Sequence, residues 1–301
     1  MHTQTRNKIH FLETYIEEHA SDWFKQYGQN LTSVQVHKKI TKRQKKNYYA
    51  IAFHVVKKKR PSQLDENEII PADFLIEFPD GKTRRVKTDV KQTGEFKFHA
   101  ATLDEIRDLP TGEKGTLGVF VTNNGTDIFA VTNFHVAAAG LLDHNKLEYD
   151  AHSDTRYDVG VAGFTGRLYK GEVTSRRDVA FVSLGPATVN NVLPDGIRIG
   201  RDFLPGPFES RLRGKPVKAY LRRYRSGFVL PVLSDNAPCN TVYMQFFKLI
   251  TVKRCSERGD SGGIVLAPDN SVVGIILGGN KESTFIIPYY EIFKFLPFRI
   301  I

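Results

Sequence analysis

The stretch RCSERGDSGGIVL, Arg254–Leu266, sets Gly259, Asp260, Gly262 and Gly263 around a single serine, Ser261. Each glycine in a helix interior costs about 1 kcal/mol relative to alanine, so local stability does not explain the pattern. A tight turn does: it lifts the Ser261 hydroxyl out of the chain and leaves bare backbone N–H groups beside it, the surroundings a serine nucleophile and its oxyanion need. Such a serine requires a histidine base and an orienting carboxylate from elsewhere in the chain.

Both have candidates upstream. His135 lies in FAVTNFHVAAAG, where an apolar strand gives way to small residues, and is expected at an exposed strand end. Asp178 opens the apolar run DVAFVSL, which would hold its carboxylate near the interior and aim it at an imidazole. The roles are nucleophile for Ser261, general base and acid for His135, and tautomer-fixing acceptor for Asp178. The N–H groups of Gly259 and Ser261 would form the oxyanion hole.

VTNFHV, RRDVAFVSL and ERGDSGGIVL, in the order His, Asp, Ser, resemble the trypsin-like (chymotrypsin-fold) serine peptidases, above all their intracellular bacterial members. The resemblance spans about residues 113–298. It implies a mainly β catalytic part built as a double six-stranded barrel, with His135 and Asp178 on the first barrel and Ser261 on the second. It implies a serine endopeptidase acting through an acyl-enzyme on a protein or peptide substrate. Leu277, Gly278 and Gly279 would form the substrate-binding edge, and Cys255 would sit at the base of the primary specificity pocket. A neutral thiol there predicts an uncharged residue before the scissile bond, unless Glu257 or Glu282 points inward. The chain departs from the family in carrying Ile264 where many members have proline. It also lacks an Ile-Val-Gly-Gly-like start before the barrel, so Asp260 needs a partner from within the fold.

The remainder reads differently. Ile9, Leu12, Ile16, Ala20, Trp23 and Tyr27 recur at three- and four-residue steps and predict an amphipathic helix. LTSVQVHKKI, NYYAIAFHVV, DFLIEF and TRRVKTDV predict strands, giving a small α+β domain over residues 1–100 with a regulatory or targeting role. The charged, turn-rich residues 91–115 form the expected boundary, and residues 101–301 the peptidase domain of short strands. The net charge of +10 and the N-terminal basic runs HKKITKRQKK, KKKR and KTRRVKTDVK support an alternative reading, a binding module whose basic N-terminal domain contacts nucleic acid or an acidic partner, while a second run, RLRGKPVKAYLRRYR inside the peptidase domain, would attract an acidic substrate or partner. Solvated faces and strand-edge protection account for the same lysines more simply. A protein regulator acting through residues 1–100 is a further expected partner. The amino terminus lacks the apolar core of a signal peptide and no long apolar run follows, which predicts a cytoplasmic protein without membrane contact. Cys239 and Cys255 are then free thiols. No metal-ligand set or phosphate-binding loop appears, so neither a metal nor a cofactor is expected.

Overall fold

The computed structural model describes residues 3–41, 44–94, 97–98, 104–152, 156–187, 189–200, 212–222, 226–293 and 298–301. Two compact units emerge, one of Met1–Phe96 with Ser234–Leu249, the other of Lys97–Leu233 with Ile250–Ile301.

The first unit begins with helix α1 (Thr3–Tyr27) and continues through strands β1 (Leu31–Thr41), β2 (Gln44–Val55), β3 (Asp73–Glu77) and β4 (Thr83–Gln92). All six residues of the predicted helical stripe are buried, in one core with Val34, Ile51, Phe53, Ile76 and Val86. Trp23 anchors that core, its ring 5.1 Å from Phe53 and 5.4 Å from Phe74. The sheet is mixed: β2 pairs with β1 and β3 with β4 antiparallel, whereas β2 and β4 run parallel. Ser234–Leu249 belongs here although its sequence gives no sign of separating from its neighbours. The Ser234 hydroxyl donates to Glu13 at 2.8 Å, Asn236 Nδ2 donates to Glu17 at 3.0 Å, and Lys248 pairs with Glu17 at 2.8 Å.

The second unit opens with β5 (Lys97–Phe98), β6 (Glu105–Asp108), β7 (Lys114–Thr116), β8 (Val119–Thr122) and β9 (Ile128–Thr132). Short helices α2 (Phe134–Ala137) and α3 (Ala139–Asp143) precede β10 (Glu148–Asp150), β11 (Asp158–Val161), β12 (Phe164–Val173) and β13 (Asp178–Gly185). Then come β14 (Pro216–Ala219), β15 (Phe228–Asn240) and β16 (Gln245–Lys253), of which Ser234–Asn240 and Gln245–Leu249 belong to the first unit, β17 (Ile264–Leu266), β18 (Val272–Gly279), β19 (Ser283–Pro288), helix α4 (Tyr289–Phe293) and β20 (Arg299–Ile300). The closing helix read from YYEIFKFLPF is α4; residues 294–297 of that stretch lie outside the described residues.

Two antiparallel sheets result. In the first, of order β20-β8-β9-β13-β12-β11-β6-β7, β7 at one end and β8, next to the short β20 at the other, are separated in the chain by only Leu117 and Gly118. Three Cα steps reach at most about 11 Å, so this sheet must roll until its ends approach. The second closes on itself, because β14 pairs both with β17 and with β15 around the order β14-β17-β18-β19-β16-β15. Its interior is apolar, with Val217, Leu221, Val252, Val265, Ile276 and Ile286 buried. The mainly β, double-barrel architecture implied by the sequence is therefore present. The expected boundary at residues 91–115 is corrected in one respect: β6 and β7 lie within it and belong to the first barrel.

Candidate active site

Strand β9 is buried at every position and delivers the chain directly into the single turn of α2. The pairing of Thr132 with Ala180 brings the start of β13 beneath that turn, and Asn133 Nδ2 donates to the Asp178 carbonyl at 2.9 Å. Asp178 Oδ2 meets His135 Nδ1, while Oδ1 accepts the backbone N–H of Phe134 at 2.6 Å and of His135 at 3.1 Å. A carboxylate that is only 1 % exposed is thus satisfied by three donors. His135 itself is 9 % exposed, which corrects the expectation of an exposed strand end: α2 folds the imidazole in over Asp178.

Ser261 is positioned by both barrels. Its carbonyl accepts the N–H of Thr116 at 3.1 Å, and Thr116 O accepts the hydroxyl of Thr132, three residues before His135. The Ser261 hydroxyl donates to Leu277 O at 2.7 Å. Gly259 and Gly262 flank it at φ +106° and +93°, the left-handed region open to glycine. At Gly262 a Cβ would stand 2.3 Å from Thr116 O and 2.6 Å from Thr132 Oγ1, so the glycine also permits the close approach of the two barrels. Asp260 is buried, and its Oδ2 accepts the N–H of Glu257 at 2.7 Å, an internal partner of the kind the sequence required.

Cys255 lies on the loop after β16, six residues before the serine. Its N–H and that of Ser256 both donate to Thr284 Oγ1 at 3.1 Å. The same hydroxyl lies 2.8 Å from Ser256 Oγ and 3.6 Å from Cys255 Sγ, so it ties the loop to β19 through both residues. Burial pushes the Cys255 thiol up to about 11, with the Asp260 charge adding to the effect and the Thr284 hydrogen bond opposing it. Glu257 and Glu282 are both exposed. Ser256 and Thr284 were not singled out from sequence; they meet across 28 positions through the register of β16 and β19, and no local spacing signals it. Leu277, Gly278 and Gly279 form the end of β18, hydrogen-bonded to β19.

Many cations of the basic runs have acidic neighbours. Arg84 pairs with Asp80, Lys87 with Asp73 at 2.7 Å, Lys218 with Asp195 at 2.8 Å and Arg222 with Glu105 at 2.8 Å. Lys42 and Arg43 of the first run, and Arg211 and residues 223–225 of the second, lie outside the described residues. Among the described residues no group of three or more His, Cys, Asp or Glu side chains is placed to hold a metal ion, and no helix is long and apolar enough to cross a membrane.

No protein-family model and no curated protein matches the sequence. Solved structures of proteases are similar to part of the chain. The chain is similar to the Nocardiopsis protease NAPase, with TM-score 0.48 and 16% identity over 67% of this chain and 98% of that one. Thermobifida fusca protease A gives TM-score 0.48 and 17% identity over 67% and 99%. The Cellulomonas bogoriensis chymotrypsin gives TM-score 0.42 and 22% identity over 62% and 89%.

Proposed function

We propose that the chain is a serine endopeptidase that cleaves peptide bonds through an acyl-enzyme. The observation that carries this reading is the grip of Asp178 on His135, one oxygen on Nδ1 and the other on the histidine's own N–H, beside a serine turn bonded to the same barrel. In the reaction Ser261 Oγ leaves Leu277 O and attacks the substrate carbonyl, while His135 Nε2 takes the hydroxyl proton. Asp178 keeps Nδ1 protonated and stabilises the imidazolium as it forms. The N–H groups of Gly259 and Ser261 receive the oxyanion. His135 then gives its proton to the leaving amine, and water repeats the sequence on the ester. Cys255, with Ser256 and Thr284 behind it, receives the side chain before the scissile bond.

A fluorophosphonate probe should label the wild-type chain at Ser261 and leave Ser261→Ala unlabelled, and peptide turnover should fall about a million-fold in that variant. Equal labelling of both chains would sink the assignment.

A further inference from the structure

One side of β18 is taken up by a succession of partners. Val272 to Ile275 pair with β17. Ile276 then donates to Gly263 O at 2.8 Å and accepts from the Gly262 N–H at 2.7 Å, and Leu277 O accepts the Ser261 hydroxyl at 2.7 Å. Beyond the serine β17 supplies no further residues, and β5 takes its place: Phe98 stands opposite Gly278 and Lys97 opposite Gly279, antiparallel. The other side of β18 belongs to β19, so β5 shares the side of Ser261. The register also fixes a direction. As β5 runs from Lys97 to Phe98 it moves from Gly279 to Gly278, toward the Leu277 end of the strand and antiparallel to it. An extended backbone laid on a strand edge is how a peptide is recognised by strand addition, and glycines in the receiving strand admit close backbone approach.

We propose that Lys97–Phe98 is an intramolecular occupant of the substrate edge, so that the chain's own backbone competes with peptide substrate for Gly278 and Gly279. This rests on the assignment of Ser261 as nucleophile and Leu277–Gly279 as the edge that binds substrate. Two residues of pairing are a weak hold. A substrate able to pair over a longer stretch displaces them, and the occupant raises the apparent KM without touching the chemical step.

The test is the full chain carrying Lys97→Pro with Phe98→Pro, which removes both N–H donors of β5 and leaves every residue of the proposed triad in place. Hydrogen exchange, measured in the Ser261→Ala background, should show Gly278 and Gly279 exchanging about 10-fold faster in the double-proline chain, the loss expected for one or two backbone hydrogen bonds. Unchanged protection at β16 and β19 establishes that the barrel remains folded. With Ser261 present, KM for a peptide library should fall about 10-fold at constant kcat. Unchanged exchange at Gly278 and Gly279 overturns the occupancy. Faster exchange with KM unchanged, in a chain the fluorophosphonate still labels, overturns the competition. Absence of labelling and hydrolysis in both chains removes the peptidase reading and the competition with it, while the exchange experiment still decides whether β5 holds the edge.

Discussion

Asp178 grips His135 through both of its oxygens, Oδ2 on the ring at Nδ1 and Oδ1 on the backbone N–H at 3.1 Å. The second contact fixes the carboxylate as well as the imidazole, because Phe134 N–H also donates to Oδ1 at 2.6 Å. In Asp178→Asn the amide keeps its oxygen on those two N–H groups and turns its NH2 toward Nδ1. The ring is then driven to the tautomer with its proton on Nε2, the wrong form to accept one from serine. Peptide turnover should drop about 10⁴-fold with the fold retained, the size of loss that such a change causes in a serine triad. Turnover within 10-fold of wild type would show that Asp178 serves only to brace α2.

Gly262 carries the tightest joint between the barrels. Alanine there would have to hold φ +93° and place its Cβ 2.3 Å from a backbone oxygen that cannot swing aside. Gly262→Ala should therefore lower unfolding stability by about 2–4 kcal/mol in urea titration, combining left-handed strain with overpacking. Its turnover should fall too, since relief of the clash moves Ser261 away from Thr116. A loss below about 0.5 kcal/mol would mean that the turn relaxes freely.

Legibility from sequence followed the chemistry more than the strands. The His135–Asp178 pair and the glycine turn around Ser261 stood out in the sequence because each proposed role admits few residue types. Strand β12 gives a weak sequence signal because its alternation breaks: Gly166 and Leu168 are buried, then Gly171 and Val173, with a bulge between that shifts the period by one. Strand β6 falls within the expected boundary because one of its inward residues is charged. Asp108 is buried, and it accepts from Tyr157 at 2.8 Å, Gly140 N–H at 2.9 Å and Thr111 at 2.7 Å. The second half of β15, SDNAPCN, opposes strand propensity outright and is held by tertiary partners, Ser33 opposite Cys239 and Glu13 on Ser234. None of these devices leaves a mark in local hydrophobic periodicity.

The thiol proposed for the specificity pocket has a chemical signature. With Cys255 pushed up to about 11, only about one part in a thousand is thiolate at pH 8, against about a quarter for an ordinary cysteine. Alkylation of Cys255 by iodoacetamide at pH 8, followed by mass spectrometry, should run at least about 100-fold slower than for glutathione. A thiol that stays neutral offers no counter-charge, so cleavage profiling should show uncharged residues before the scissile bond; a buried unpaired Arg would cost several kcal/mol, on the order of three or more. Predominant cleavage after Arg or Lys, lost in Glu257→Gln or Glu282→Gln, would move the pocket floor to one of those exposed carboxylates.

Two histidines of the first unit make its stability depend on pH. His54 Nδ1 shares a hydrogen bond with Ser33 Oγ at 3.1 Å, and its ring lies 6.3 Å from that of His37, whose Nε2 is 3.5 Å from Asp89 Oδ2. Burial, then the charge of Lys91, then His37 lower His54 to about 3. Burial and Lys91 lower His37 to about 4, with Asp89 opposing them and Lys39 adding a little. An unfolded histidine titrates near 6.5, so between about pH 6.5 and pH 4 the unfolded chain binds protons that the folded unit refuses. The unfolded state then holds more protons, and stability must fall as pH falls through that window. Above pH 7 both states are neutral at these sites and the effect vanishes. The chain has 1 tryptophan, Trp23, buried in this same core, so its fluorescence follows this unit. Urea titrations read at Trp23 should show stability at pH 5 lower than at pH 7.5 by on the order of 2–4 kcal/mol. The double variant His37→Gln with His54→Gln should flatten most of that difference even if it is less stable at pH 7.5. A wild-type stability that is level from pH 5 to pH 7.5 would show that the folded unit takes up those protons after all.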